Sequence, residues 1–229
     1  MPREVIWMRP ESAGVGRPAE HSRAEIAAVG MRIADAEGLK AVTMRRVAAE
    51  LGTGAASLYR YVRTRDELVD LMVDASYADL DLARPFTGWR DGAADLIAQG
   101  LALIRRRPWV SDALLVGLAV PGPHSARLAE RYLEVLADHP AAGPQKMAAI
   151  GVVSGMIFVY GQQEARAKEP DWMLAYAGYM ASLAGTGEFP RLAAVMAEPP
   201  VAALSSEEAF LQLLVSAFSG VLDGPGQVQ

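Results

Sequence analysis

Residues 43–68, TMRRVAAELGTGAASLYRYVRTRDEL, constrain this chain more tightly than any other stretch. Met44, Val47, Ala48 and Leu51 recur at the spacing that fills one helical stripe. Thr43 stands where an N-cap belongs, and Gly52 and Gly54 break the chain just past the stripe. The helix that follows, Ala55 to Tyr61, is too short to stand alone and must pack on its neighbours. Thr64, with Glu67 three residues on, reads as a capping box that opens a further helix with Leu68, Leu71, Met72 and Ala75 on one face. Upstream, Ser22 and Glu25 form another capping box, opening a helix with Ile26, Val29, Ile33 and Ala34 on one face and a C-cap near Gly38. The pattern predicts a helix-turn-helix held between a supporting and a connecting helix, the unit that sets its second helix in the major groove of DNA.

Such a unit needs contacts to phosphates and to base edges. Arg45, one turn into the first motif helix, carries a fork that suits guanine O6 and N7. Arg46 beside it reads either as a second contact or as a solvated charge. On the recognition helix the expected exposed set is Thr53, Gly54, Ala55, Ala56, Ser57, Arg60 and Tyr61. Ala55 and Ala56 suit thymine methyls or a close approach. Arg63 and Arg65 flank the start of the next helix, whose free N–H groups also suit a phosphate. Thr43, Lys40 and Tyr59 are further phosphate candidates, with a packed core tyrosine as the other reading of Tyr59. By analogy with other arms Arg17 would reach an adjacent minor groove; a solvated, disordered position is the other reading.

The segment GLKAVTMRRVAAELGTGAASLYRYVRTRDELVDLM resembles the DNA-binding domain of the tetracycline-repressor (TetR) family. The resemblance rests on Gly38, Thr43, Val47-Ala48, Leu51-Gly52, Leu58-Tyr59, Val62 and Arg65-Asp66-Glu67-Leu68, and Tyr59-Arg60-Tyr61-Val62 is similar to the branch that includes the tetracycline repressor itself. Residues 5–18 also look like the N-terminal extension of some actinobacterial members. The resemblance implies backbone-phosphate contacts for Tyr59 and Arg65 and strengthens Arg45 as a base reader. The chain departs from the tetracycline repressor at Gly54, Ala55 and Ala56, where larger polar residues are usual, so a different operator is expected.

The remaining length bounds the rest. At 229 residues with 52% hydrophobic content, a head of about 60 residues leaves room for a second helical core. The net charge of −5 is unevenly spread: residues 1–65 hold 11 Lys+Arg against 7 Asp+Glu, and residues 66–229 hold 11 against 20. A basic head on an acidic body suits a DNA binder with a separate regulatory domain. The chain has no cysteine, which suits a cytoplasmic protein. MPREVIWMRPES lacks the apolar stretch of a signal peptide. The longest apolar run, residues 147–161, falls short of the roughly 20 residues of a membrane span. Residues 1–20, rich in proline and glycine, are expected to form a flexible arm. Residues 21–70 form the head and residues 71–229 the effector-binding and dimerisation domain. Proline and glycine punctuate further helices: 68–83, 89–107, 109–117, 125–138, 145–168, 171–184, 190–197 and 205–222. The fold class is all-α.

The body carries no catalytic constellation. His21, His124 and His139 show no metal-ligand spacing, and no phosphate loop or nucleophile motif is present. Neither a metal nor another cofactor is expected. Gly151, Ser154 and Gly155 lie on one face of the long helix, and Leu213, Ala217 and Gly220, with Ala209 and Ser216, on one face of the last. The resemblance implies that these two helices pair with their mates in a four-helix dimer bundle; packing inside one subunit is the other reading. A pocket for a small apolar or aromatic effector is expected between the connecting helix and the middle helices, drawing on Arg106, Trp109, Met156, Phe158, Tyr160, Gln163, Tyr176 and Met180. The expected function is a homodimeric regulator on a palindromic operator, most simply a repressor released by its effector. The alternatives are an effector-independent activator, marked by a filled body core, and an all-helical small-molecule binder that does not touch DNA.

Overall fold

The computed structural model describes residues 5–10, 21–115, 120–167, 170–198 and 207–224, and all regular elements among them are helical. The head begins at α1 (Arg23–Glu37), started by the expected box: Ser22 Oγ accepts from the Glu25 N–H at 3.1 Å and the Glu25 carboxylate accepts from the Ser22 N–H at 2.7 Å. Its apolar stripe is buried, and it ends where Gly38, at φ +80°, donates its N–H to the Ala34 carbonyl. Helix α2 (Met44–Glu50) is capped by Thr43, whose Oγ1 accepts from the Arg46 N–H at 3.1 Å. Gly52, at φ +69°, turns the chain in a conformation that side chains with a Cβ resist. Helix α3 (Ala55–Leu58) is shorter than predicted; residues 59–61 continue as turns, closed by Tyr61 and Val62 N–H bonds to the Leu58 carbonyl.

Helix α4 (Arg65–Ser76) joins head to body and is the most enclosed element of the structure. Residues 67–74 and Ser76 are buried, although the run includes Glu67, Asp70 and Asp74. Thr64 caps it as predicted, with Oγ1 accepting from the Glu67 N–H at 3.1 Å. The reciprocal half of the box is replaced: the Glu67 carboxylate accepts from the Arg63 N–H at 2.7 Å and from Arg9 at 2.6 Å. The helix also stops earlier than the predicted Ala83. After one 3-10 turn at Tyr77–Asp79, side-chain bonds take the place of the helix ladder: Gln99, from the next helix, accepts from the Asp81 N–H, and the Asp81 carboxylate accepts locally from the Ala83 N–H.

The body packs α5 (Trp89–Arg106), α6 (Pro108–Leu115), α7 (Pro123–Val135), α8 (Gly143–Ala167) and α11 (Glu207–Asp223) around one core. Ile97 and Ile104 of α5, Val153 and Ile157 of α8, and Leu214 and Phe218 of α11 are buried there. Helices α9 (Pro170–Gly185) and α10 (Pro190–Ala197) pack on each other, and α9 also on α8, with most of their residues exposed. The predicted helix ends at 117 and 168, and the predicted start at 205, lie outside the described residues.

The expectation of a flexible N-terminal arm is corrected at residues 5–10. Ile6–Met8 form a 3-10 turn with Ile6 wholly buried, a burial that contributes about 2 kcal/mol. Arg9 pairs with Glu67, both side chains less than a tenth exposed. The proline-glycine composition hid this because two residues, Ile6 and Arg9, hold the segment down. Arg17 lies outside the described residues.

Gly52→Ala, forced into a left-handed backbone, is expected to destabilise the head by about 1–2 kcal/mol, whereas Gly54→Ala, at φ −78°, costs less. Urea unfolding of the two variants, compared with the unsubstituted chain, measures the difference.

Candidate nucleic-acid interface and effector cavity

Helices α2 and α3 carry most of the residues expected to face DNA, and Tyr61 departs from that expectation. Arg45 is exposed, and among the described residues it makes no ion pair, so its guanidinium is available to a base edge. Arg46 is also exposed but pairs with Glu37 at 3.0 Å and Glu50 at 3.3 Å; it behaves as a neutralised surface charge, the second of its two readings. Thr53, Ala55 and Ser57 are half-buried, while Ala56 and Arg60 are exposed. Tyr61 does not belong to the exposed set. It is 6% exposed and structural, its carbonyl accepting from Arg23 Nε and its hydroxyl from the His21 N–H. Helix α3 ends before it, so the helical spacing that would have turned its ring outward does not apply.

Among the phosphate candidates, Tyr59 is half exposed rather than packed as a core tyrosine. Lys40, Thr43 and Arg63 are exposed. Arg65 departs from expectation: its Nε donates to the Val42 carbonyl at 2.8 Å and its Nη2 to the Leu39 carbonyl at 2.7 Å. Two of its three nitrogens thus tie the start of α4 to the turn before α2. The signal for this role was the shortness of the 38–42 turn, whose carbonyls need donors.

The body holds a cavity of about 320 Å³ between α4, α6, α7 and α8. Among its walls are Val73, Tyr77, Leu128, Tyr132, Ser154 and Phe158, apolar surface with a few hydroxyls. This is the size and character of a small-molecule site. Burial pushes the Tyr77 phenol up to about 12, with the Asp74 carboxylate adding to the rise, and burial raises Tyr132 further. Both phenols therefore stay protonated and can donate to a ligand.

Of the eight residues expected around an effector, only Phe158 lines this cavity. Trp109 is buried but donates its Nε1–H to Asp35 of α1 at 2.6 Å. Arg106 pairs with Asp79 at 3.0 Å. These two brace the head–body junction, where Arg107 also bridges Asp35 and Asp79. Met156, Tyr160 and Gln163 line a different, open groove on the outer side of α8, with Tyr160 stacked on Phe210 at 3.6 Å. Tyr176 stacks on Trp172 and is half exposed, and Met180 sits half-buried on the same helix, α9. Tyr77 of the 3-10 turn and Ser125, Leu128 and Tyr132 on one face of α7 were missed because nothing local tells that this face meets α4 and α8 around a cavity. Ser154, assigned to a dimer face, instead lines the cavity. Among the described residues no cluster of three or more His, Cys, Asp or Glu could hold a metal ion, and no helix is long and apolar enough to cross a membrane.

A capped helix-turn-helix with an exposed arginine on α2, joined by a buried helix to a cavity-bearing helical body, is the architecture of a DNA-binding regulator. The model for "Bacterial regulatory proteins, tetR family" matches residues 26–72, and that for "Tetracyclin repressor-like, C-terminal domain" matches residues 85–223. The chain belongs to the TetR family of transcriptional regulators. It is similar to the HTH-type transcriptional repressor DrrR1 of Streptomyces coeruleorubidus, with 32% identity over 209 residues covering 84% of this chain and 75% of that protein. An HTH-type transcriptional regulator of Saccharopolyspora erythraea is 27% identical over 154 residues, 67% of this chain and 64% of the relative. Among solved structures, apo ActR from Streptomyces coelicolor superposes with a TM-score of 0.75 at 27% identity, covering 90% of this chain and 98% of its own. ActR has also been solved with actinorhodin and with (S)-DNPA.

Arg45→Ala is expected to weaken binding to a selected DNA site by about 1–3 kcal/mol with an unchanged melting temperature. Arg65→Ala is expected to lower the melting temperature first, because it strips donors from two carbonyls. Fluorescence anisotropy on labelled duplexes, run beside thermal unfolding, separates the two.

Proposed function

We propose that this chain is a homodimeric repressor that holds a palindromic operator and releases it when a small apolar or aromatic molecule occupies the body cavity. Residues 21–70 act as the DNA-binding head and residues 71–229 as the effector-binding and dimerisation domain, with α4 straddling the two. The observation that carries this reading is the cavity's position against α4. Val73 and Tyr77, on and just after α4, form part of its wall, and Val120 and Ser125, which also line it, are hydrogen-bonded to Asp70 and Asp74 of the same helix. An occupant that moves residues 120–125 moves the helix that carries the head. A tenfold loss of operator affinity requires about 1.4 kcal/mol of differential binding between the two states. An open cavity favours this reading over an effector-independent activator, whose body core would be filled. ActR's complexes and the repressor named among the relatives support the same reading.

The dimer rests on the outer face of α8 and α11. Val152 and Val159 of α8 and Leu213 of α11 are nearly half exposed. A Cβ added at Gly151, Gly155 or Gly220 would meet nothing, so these glycines do not serve packing inside one subunit. Small residues beside exposed apolar ones on two long helices suit close approach by a second copy. Two heads are also what half-sites roughly 34 Å apart demand.

Operators recovered by the protein from random-sequence DNA, then titrated with actinorhodin and with a panel of small aromatic compounds, provide the test. Specific DNA binding reversed by the ligand supports the proposal; specific binding that no aromatic ligand weakens favours the effector-independent alternative. Leu213→Glu is expected to shift the protein to monomer in analytical ultracentrifugation and to abolish operator binding at nanomolar protein. Leu128→Trp, which crowds the cavity, is expected to remove any ligand-induced rise in melting temperature, a rise that reflects roughly 3 kcal/mol of stabilisation at a hundredfold excess over Kd.

A further inference from the structure

The segment at residues 5–10 touches head and body at once. At its head end, one oxygen of Glu67, Oε2, accepts both from Arg9 Nη2 at 2.6 Å and from the Arg63 N–H at 2.7 Å. Arg9 thereby reaches the first turn of α4 and the last residues of the helix-turn-helix through a single atom. The conformation of the segment is set by Arg23, the first residue of α1, whose guanidinium donates to the carbonyls of Ile6, Arg9 and Pro10. At its body end, Trp7 Nε1–H points at the Val120 carbonyl, 3.4 Å away. The Trp7 ring packs so closely on Gly122 that a Cβ there would overlap both the ring and the Asp74 carboxyl. Val120 joins three contacts: its carbonyl faces Trp7, its N–H donates to Asp70 at 2.8 Å, and it lines the cavity.

We propose that residues 6–9 are a strap that sets the orientation of the DNA-reading head on the body, with Arg9 and Trp7 as its positioning residues. Detaching Arg9 would leave a buried carboxylate without its cation, which is strongly unfavourable. Detaching Trp7 would free the strap from the cavity wall. While both ends hold, α4 cannot tilt at its head end independently of residues 120–125. Among the described residues the hydrogen bonds of the strap run to α1, the start of α4 and Val120, so it acts through geometry. In a dimer, a head whose tilt is fixed accepts one half-site spacing and resists others. This inference rests on the dimeric-operator reading above.

The test uses the full chain and duplexes that the unsubstituted protein selects from random-sequence DNA, remade with one base pair inserted or deleted between half-sites. Each change rotates one half-site by about a tenth of a turn. The unsubstituted protein is expected to lose about tenfold in affinity on such a change. Trp7→Ala, and Arg9→Met combined with Glu67→Gln, are expected to bind the selected spacing several-fold more weakly and to discriminate spacings by less than about threefold. A merely destabilising substitution lowers affinity at every spacing in the same proportion. Trp7→Ala leaves the buried ion pair in place, so it carries the test if the double variant does not fold. Folded variants that keep the full spacing discrimination overturn the strap alone. Failure of the unsubstituted protein to select paired half-sites overturns the dimeric-operator reading, and the strap proposal with it.

Discussion

The structure depends on a helix that is buried on nearly every side and still carries three buried carboxylates. Glu67, Asp70 and Asp74 of α4 stand at intervals of three and four, along one face. A buried carboxylate must be paired or hydrogen-bonded to persist, and each of these takes its partners from a different part of the chain. Glu67 takes Arg9 of the N-terminal strap and the Arg63 N–H of the head. Asp70 takes the Val120 N–H. Asp74 takes the N–H groups of His124 and Ser125 and the Ser125 hydroxyl at the start of α7. Apolar packing alone tolerates sliding between a head and a body. Short, directional bonds to carboxylates do not, so the seat of the head is defined by polar chemistry inside an otherwise apolar junction.

A second set of polar contacts braces the same junction from the side of α1. Asp35 accepts from Trp109 Nε1 and faces Arg107, which in turn pairs with Asp79 just beyond α4. With the carboxylates of α4, this makes the cavity wall and the head parts of one hydrogen-bonded frame. A ligand that shifts residues 120–125 by a small amount acts on bonds that weaken steeply with distance and angle. That is the physical basis on which an occupant of the proposed effector cavity would act on the proposed DNA-reading surface.

The reading surface itself is economical in charge. Arg45 is free to reach a base, Arg46 is balanced by two glutamates, and Arg65 is turned inward onto two carbonyls. The three look alike as basic residues on or near a motif. What separates them is whether acceptors of the protein itself lie within reach, and those acceptors come from α1 and the 38–42 turn.

Helix starts were legible because capping is local: Ser22, Thr43 and Thr64 each accept a hydrogen bond from a residue three positions on. The buried stripes of α1, α2 and α4 were legible for the same reason, since helical period places residues on faces without reference to the rest of the chain. The family resemblance extended this reading to the proposed reading face, where Arg45 is exposed. The proposed effector cavity was not legible in this way. Its walls come from α4, α6, α7 and α8, so choosing aromatic and soft residues near the long helix found Phe158 and passed over Tyr77, Leu128 and Tyr132.

By itself, the sequence determined that the chain is helical, where most of its helices begin, and that a helix-turn-helix lies near its N-terminus, because those properties rest on contacts within a few residues. Only the tertiary structure decided that Ile6 and Arg9 form a strap, that Tyr61 and Arg65 face inward, that Arg106 and Trp109 brace a junction, and that a cavity opens against α4. Each of those outcomes depends on which partner a side chain meets across tens of residues of chain. Helical period and capping chemistry do not encode that information.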